Sequence, residues 1–374
     1  MENNNFIILD IGSGYCKAGF SGEIEPKIIT PTIIGHQKSI ESENIDDNTS
    51  LIFGENALEK SNILNIEHPI KKGSIKNWDD LNLFLDNLFK NELKIDCKNY
   101  GILITETSST SKLEREKLVE LLFDNYQFSQ IYINNGAILS LYGACKFSGF
   151  VLDSGFDYNE IVPIRNGFPF KNCIKKINIG GNDINEYLKK LLIKNNNNNN
   201  ISLNEIDINN IKEKYCFIAE NNTNIEKEKN HNEIIYELPD KSKIKIKDEM
   251  FLAPELNFHP EMIEKEFGGL AQIFCSCMYD VDNYTKQKFD GTLVLSGGNT
   301  LFQNFTERLS KEIKNYYGGK FKDRFEIVEI PERKFIQWIG GSIFSIMSIF
   351  NGLCTTKQEY NENGAKIIHK KCFY

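Results

Sequence analysis

Twice in this chain an apolar run meets an aspartate, turns on Gly and Ser, and resumes as a second apolar run. Phe6-Ile-Ile-Leu9 leads into Asp10-Ile-Gly-Ser-Gly14 and then Tyr15 to Phe20. Val151-Leu-Asp153 leads into Ser154-Gly155 and then Ile161 to Ile164. Short apolar runs bounded by Gly and Ser suit buried strands, and strand, tight turn and strand make a hairpin. The same unit in each half of the chain points to a duplicated domain, with each half offering one loop to a shared cleft.

Between and beyond these units, strand-like and helix-like segments alternate. Ile102-Leu-Ile-Thr105, Ile131-Tyr-Ile133 and Leu293-Val-Leu295 read as further buried strands. After Trp78, the residues Leu81, Phe84, Leu85, Leu88 and Phe89 share one helical face, with Asp79 and Asp80 in the first turn, where the helix dipole favours anions. Ser111-Lys-Leu-Glu114 has the form of a capping box opening a second helix through Leu122, and Ile184, Tyr187, Leu188, Leu191 and Leu192 give a third. Interleaved strands and helices predict an α/β architecture. With 374 residues, 40% of them hydrophobic, the chain has material for two or three domains with substantial cores.

Charge and cysteine usage narrow the class. A net charge of −8 argues against a general binder of nucleic acid or anionic membrane. Nine cysteines, scattered except for Cys275 and Cys277, read as reduced intracellular thiols, and that pair has neither a second pair nor a nearby histidine at zinc spacing. No signal peptide is visible at the start. The most membrane-like stretch, Trp338 to Phe350, contains Gly and Ser and falls short of the roughly 20 residues that cross a bilayer. The Asn run at 195–200 and the polar tract at 221–232 read as solvated loops within a variable region at 180–265.

The first hairpin carries chemistry. Glycines at 12 and 14 let backbone N–H groups approach a ligand, and successive N–H groups in a tight turn form an anion nest. Ser13 adds a hydroxyl and Lys17 a positive charge, while Asp10 could hold a divalent cation through water. A lone Gly-Ser-Gly serves equally well as an ordinary turn, but two facing hairpins can clamp a polyphosphate. Leu295-Ser-Gly-Gly298, ahead of a helical pattern starting near Phe302, suits close approach of a nucleotide. Close helix-on-strand packing asks for the same glycines there, and at Gly180-Gly181.

At this point the chain resembles a known family. Asp10-Ile-Gly-Ser-Gly-Tyr-Cys-Lys-Ala-Gly-Phe20 closely resembles the first phosphate loop of the actin family. In order, and with nearly that family's spacing, follow Asn77-Trp-Asp-Asp80, Leu139-Ser-Leu-Tyr142, Ile211-Lys-Glu-Lys214, Leu295-Ser-Gly-Gly298, Pro331-Glu-Arg-Lys334, Trp338-Ile-Gly-Gly-Ser342, Lys357-Gln-Glu-Tyr360 and His369-Lys-Lys-Cys-Phe373. The resemblance implies an α/β fold shared with the hexokinases and the seventy-kilodalton heat-shock chaperones, two related domains around a cleft that holds ATP or ADP with Mg²⁺. It implies a first domain at 1–143 plus 336–374, with a small subdomain at 32–68, and a second at 144–335, with a small subdomain at 180–265. It places Ser13, Gly14 and Lys17 on the phosphates and Gly155 in the second phosphate loop. It places Gly181, Lys212, Glu213, Gly297, Gly298 and Lys334 around the nucleoside, and Asp10 and Asp153 near the metal.

The departures shape the functional expectation. Where actins read Asp-Ser-Gly-Asp-Gly-Val-Thr-His, this chain reads Asp153-Ser-Gly-Phe-Asp-Tyr-Asn-Glu160, so Phe156 replaces the metal-side aspartate and Glu160 the histidine near the attacking water. Asp157 substitutes only if the loop shifts register by one. The water-positioning glutamine matches Gly136, and losing both groups predicts at most a slow ATPase, because phosphoryl transfer rests on positioning and electrostatics. Glu160 is a candidate base, and Gly136→Gln with the second loop restored is expected to raise hydrolysis. Ile206 and Asn209 replace a Glu and an Arg around the base and ribose, while Lys71 and Lys72 either approach phosphate or form a solvated pair. The stretch at 38–50, acidic where a filament loop is apolar, argues against conventional polymerisation. The expectation is an actin-related cytoskeletal protein with a bound nucleotide as structural or conformational ligand. Its partners are proteins, of actin-family or actin-binding type, without direct nucleic acid contact or membrane insertion, in the cytoplasm or nucleus. A filament-forming divergent actin, and a subunit of a chromatin-remodelling or motor-activating assembly, are the alternatives.

Overall fold

The computed structural model describes residues 5–38, 51–196, 203–220, 233–285, 291–317 and 325–372. The acidic stretch at 39–50, the Asn run at 197–200 and the polar tract at 221–232 lie outside the described residues.

Two sheets share one plan. In the first, β1 (Phe6–Ile11) and β2 (Tyr15–Phe20) form an antiparallel hairpin, extended by β3 (Ile28–Pro31) on the β2 side. On its other side β1 runs parallel to β4 (Gly101–Glu106), and β4 parallel to β5 (Gln130–Asn135). In the second, β6 (Gly149–Ser154) and β7 (Asn159–Arg165) form the hairpin, β6 runs parallel to β8 (Gly291–Ser296), and β8 parallel to β9 (Phe325–Val328). The short strands Phe168–Pro169 and Lys175–Ile177 cover β7 as β3 covers β2. The expected duplication is therefore a repeat of topology as well as of motif. All of β4 and Phe6 to Asp10 of β1 are buried, the pattern of strands covered on both faces.

Local chemistry sets the helix starts. For α1 (Trp78–Asp86), the Asn77 side chain accepts from the N–H groups of Asp79 and Asp80, both at 3.1 Å. The apolar face then continues through a wider π-helical turn, Asn87–Glu92, which carries Leu88 and Phe89. Ser111 caps α2 (Lys112–Glu120) through the Glu114 N–H at 3.1 Å. The expected reciprocal half of the box does not form, because the Glu114 carboxylate accepts from the Ile75 N–H at 2.6 Å instead.

Next come α3 (Gly136–Gly143), α4 (Gly181–Asn195), α5 (Glu205–Tyr215), α6 (Leu270–Thr285), α7 (Phe305–Tyr317) and α8 (Ile336–Ser345). The helix expected near Phe302 starts later than its apolar pattern, after a 3₁₀ turn at Gly298–Leu301. One large core lies under the first sheet and gathers Phe344, Phe350, Cys354, Ile368 and Cys372 from the end of the chain. A second lies under the second sheet among α4, α5, α6 and α7.

The chain passes between the sheets at α3 and again at α8, and these helices cross in backbone contact. A Cβ on Gly340 would stand 1.8 Å from the Leu139 carbonyl oxygen, and one on Gly143 2.7 Å from that of Ile336. Ala137, Ile138, Leu141 and Ile336 pack with Val151, Val162 and Val294 into a separate apolar cluster at this junction. Trp338 is fully buried and donates its indole N–H to the Ile8 carbonyl at 3.0 Å, which ties α8 to the central strand of the first sheet. A small lobe of three short strands, Ile34–Gln37, Ile52–Phe53 and Leu64–Glu67, with helix Gly54–Glu59, has its own core of Ile33, Ala57 and Leu58. Ile206 of α5 reaches across and packs against that core.

Candidate functional site

The two hairpins point their turns at one cavity of about 470 Å³, within the range of small-molecule sites. All twelve residues singled out from the sequence, from Asp10 to Lys334, line it.

In the first turn, the Gly12 N–H bonds to the Tyr15 carbonyl at 3.0 Å. Asp10, at the end of β1, accepts from Lys17 Nζ at 2.9 Å on one oxygen and from Thr105 Oγ1 at 2.7 Å on the other. Burial works against the Lys17 charge, but Asp10 and Asp153 outweigh it and hold the ammonium above its ordinary pKa. Ser13 is buried, and its hydroxyl faces the Gly73 N–H at 3.4 Å.

In the second turn, the Gly155 N–H bonds to the Tyr158 carbonyl at 3.0 Å. Asp153 accepts from Ser296 Oγ at 2.9 Å. Burial raises the Asp153 pKa, and the neighbouring Asp10 charge adds to it. The Gly155 carbonyl accepts from the Gly181 N–H at 2.9 Å and the Asn299 amide at 2.7 Å, so the turn is fastened to the start of α4.

Among the residues expected around a nucleoside, Gly297 has φ +92°, and a Cβ there would stand 2.2 Å from the Ser154 carbonyl oxygen. This position requires glycine for both reasons. Gly298 has nothing within 4 Å of such a Cβ and so leaves open floor. Lys212, on α5, is buried with Nζ 3.4 Å from both the Gly181 carbonyl and Asn209 Oδ1. Burial pulls its pKa down to about 8. Lys334 pairs with Glu213 at 3.5 Å and lies 5.4 Å from the Tyr15 ring centroid.

The altered positions resolve as follows. The second turn keeps its register, with Asp153 opposite Glu160 and Ser154 opposite Asn159. Asp157 lines the cavity, and its carboxylate accepts from the Lys72 N–H at 2.6 Å. Lys71 lies near Glu67 at 3.7 Å, and neither Lys71 nor Lys72 lines the cavity. Ile206 is turned to the small lobe, and Asn209 accepts from Asn185 at 2.9 Å. Burial first, then Asp153, push Glu160 up to about 7.

Sequence reasoning missed Gln337. A Cβ on Gly136 would stand 2.1 Å from Gln337 Oε1, so an amide from α8 fills the space above the glycine. Its Nε2 lies 3.4 Å from Ser296 Oγ. The signal was a lone glutamine in the apolar run Phe335-Ile-Gln-Trp-Ile339. Gly136→Gln therefore meets an occupied position and needs a smaller residue at 337 as well.

The open floor at Gly298 and the lysines around it fit a nucleotide. Mg²⁺ fits as a partner of bound phosphate. Asp10 and Asp153 face the cavity with lone pairs left for its waters, and no group of three His, Cys, Asp or Glu among the described residues forms a direct cage. A protein-family model described as Actin matches residues 1–373 of the chain.

Proposed function

The chain belongs to the actin family, and on that premise we propose that it holds ADP or ATP with Mg²⁺ between its hairpins as a structural and conformational ligand. The observation that carries the reading is the convergence of both hairpins, Lys17, Lys212, Lys334 and the open Gly298 floor on one cavity. Lys17 and the N–H groups of the first turn orient the phosphates, and Lys212 and the Glu213–Lys334 pair frame the nucleoside. Asp10 and Asp153 would hold Mg²⁺ through water, and the ion would supply neutralisation of phosphate charge.

Hydrolysis is slow or absent in this reading. Position 136 has no side chain, and the Gln337 amide beside it is engaged with Ser296. Glu160, raised to about 7, has a pKa suited to a general base, but position 136 supplies no side chain to hold a water for it. The role that follows is that of an actin-related cytoskeletal protein working in a complex with protein partners. Among the described residues no helix is long and apolar enough to cross a membrane.

The test is purification without added nucleotide, assay of the released nucleotide and Mg²⁺, and thermal unfolding with ADP-Mg and ATP-Mg. Ligand at about 100 times its Kd adds about 2.7 kcal/mol, which raises Tm by several degrees. An empty cleft and an unmoved Tm with both nucleotides overturn the reading.

A further inference from the structure

The passage between the two turns is occupied by a side chain. A Cβ on Gly14 would stand 2.7 Å from both Cβ and Cγ of Phe156, so the ring carried by the second turn lies against the backbone of the first. His68 stacks on that ring, with centroids 5.9 Å apart and planes 20° from parallel. The imidazole is placed in turn by Nδ1, 3.4 Å from the Ser13 carbonyl oxygen. The turn behind the ring is fastened too. The Phe156 carbonyl accepts from the Asn182 N–H at 2.7 Å, and the Asp157 carboxylate from the Lys72 N–H at 2.6 Å.

We propose that Phe156, with Asp157 beside it, sets the number of phosphates the cleft accepts, favouring a nucleoside diphosphate over the triphosphate. This rests on the reading that the cleft binds a nucleotide. A phosphate chain starting from a nucleoside near Gly298 and Lys212 runs between the turns, and each added phosphate brings it further into the space held by the ring. The ring offers no hydrogen bond to an oxyanion, and a phosphate placed against it loses water without compensation.

Charge acts in the same direction. Seven carboxylates and four lysines line the cavity. Three of those carboxylates are paired, Asp10 with Lys17, Glu213 with Lys334 and Glu106 with Arg115, which leaves Glu114, Asp153, Asp157 and Glu160 against Lys212 and Lys214. A terminal phosphate adds negative charge to a surface that is already acidic, beside Asp157 on the turn that would have to receive it.

The experiment is a titration of ADP and ATP, each with and without Mg²⁺, into nucleotide-free wild-type protein and Phe156→Ala. Wild-type protein should bind ADP at least about ten-fold more tightly than ATP, and Phe156→Ala should bring the two within about three-fold. Should the alanine variant fail to fold, Phe156→Asn, which keeps a branched but uncharged side chain on the turn, carries the same comparison. Equal wild-type affinities, or a preference that survives loss of the ring, overturn the proposal while leaving nucleotide binding intact. Binding of neither nucleotide to wild-type protein removes the underlying reading and the proposal with it.

Discussion

Lys212 shows how one residue ties stability to pH. Its ammonium loses its proton near pH 8 in the folded chain because burial disfavours the charge, against an ordinary value of 10.5. Between those two values the unfolded chain holds a proton the folded chain has released, so folding stability rises with pH across that window. Below pH 8 the folded state carries the full cost of the buried charge, up to about 3 kcal/mol. Lys212→Met should therefore stabilise the ligand-free protein at pH 7, with the gain falling to about 1 kcal/mol by pH 9.5. Urea unfolding at the two pH values checks this, and a gain equal at both would refute it. At this scale the sequence was legible where chemistry is local. Asp10, Asp153, the turn glycines and Lys17 announce themselves by type and spacing, whereas Lys212 and Lys334 follow only from resemblance to the family. Gln337 follows from neither, because its meaning depends on position 136, two hundred residues away in the chain and adjacent only after α3 and α8 cross. Phe156 was visible as a missing aspartate, but not as a ring resting on Gly14.

At the scale of elements, the crossing of α3 and α8 is the tightest constraint. With the Leu139 carbonyl oxygen 1.8 Å from a Cβ at Gly340, even one methyl group forces the helices apart. Gly340→Ala should cost about 4 kcal/mol or more, the range of severe overpacking, or abolish folding. Gly352→Ala is the control, since nothing lies within 4 Å of a Cβ there, and it should stay within about 1 kcal/mol of the parent. Denaturant unfolding of both variants makes the comparison. Strands and helices were read well from periodicity, because their faces bury the residues the pattern selects. Their ends were read less well, where tertiary partners intervened. Glu114 leaves its cap for Ile75, the helix ending at Asp86 widens into a π turn, and a 3₁₀ turn delays the start of α7.

At the scale of the whole molecule, the repeated hairpin announced two related sheets, and both formed with the same strand plan. What the sequence did not announce is a contact between the small lobe and α5. Ile206, which matches a polar position of the family, packs instead on Ile33, Ala57 and Leu58 of the small lobe. Ile206→Asp should open that contact and raise exchange of backbone amides in 54–59 and 205–215 by about ten-fold, for a loss of about 1.4 kcal/mol. Hydrogen exchange read by mass spectrometry tests it, and unchanged exchange in both segments would count against a latch.

The two helices that cross at Gly340 give so small a latch its leverage. Two separate proteins meeting through one isoleucine would forfeit far more translational and rotational freedom than that contact returns. Here the crossing has met that cost in advance, because the lobes are tethered and the isoleucine meets its partners at an effective concentration in the millimolar range or above. A contact too weak to hold two molecules together can therefore hold the small lobe against α5 within one.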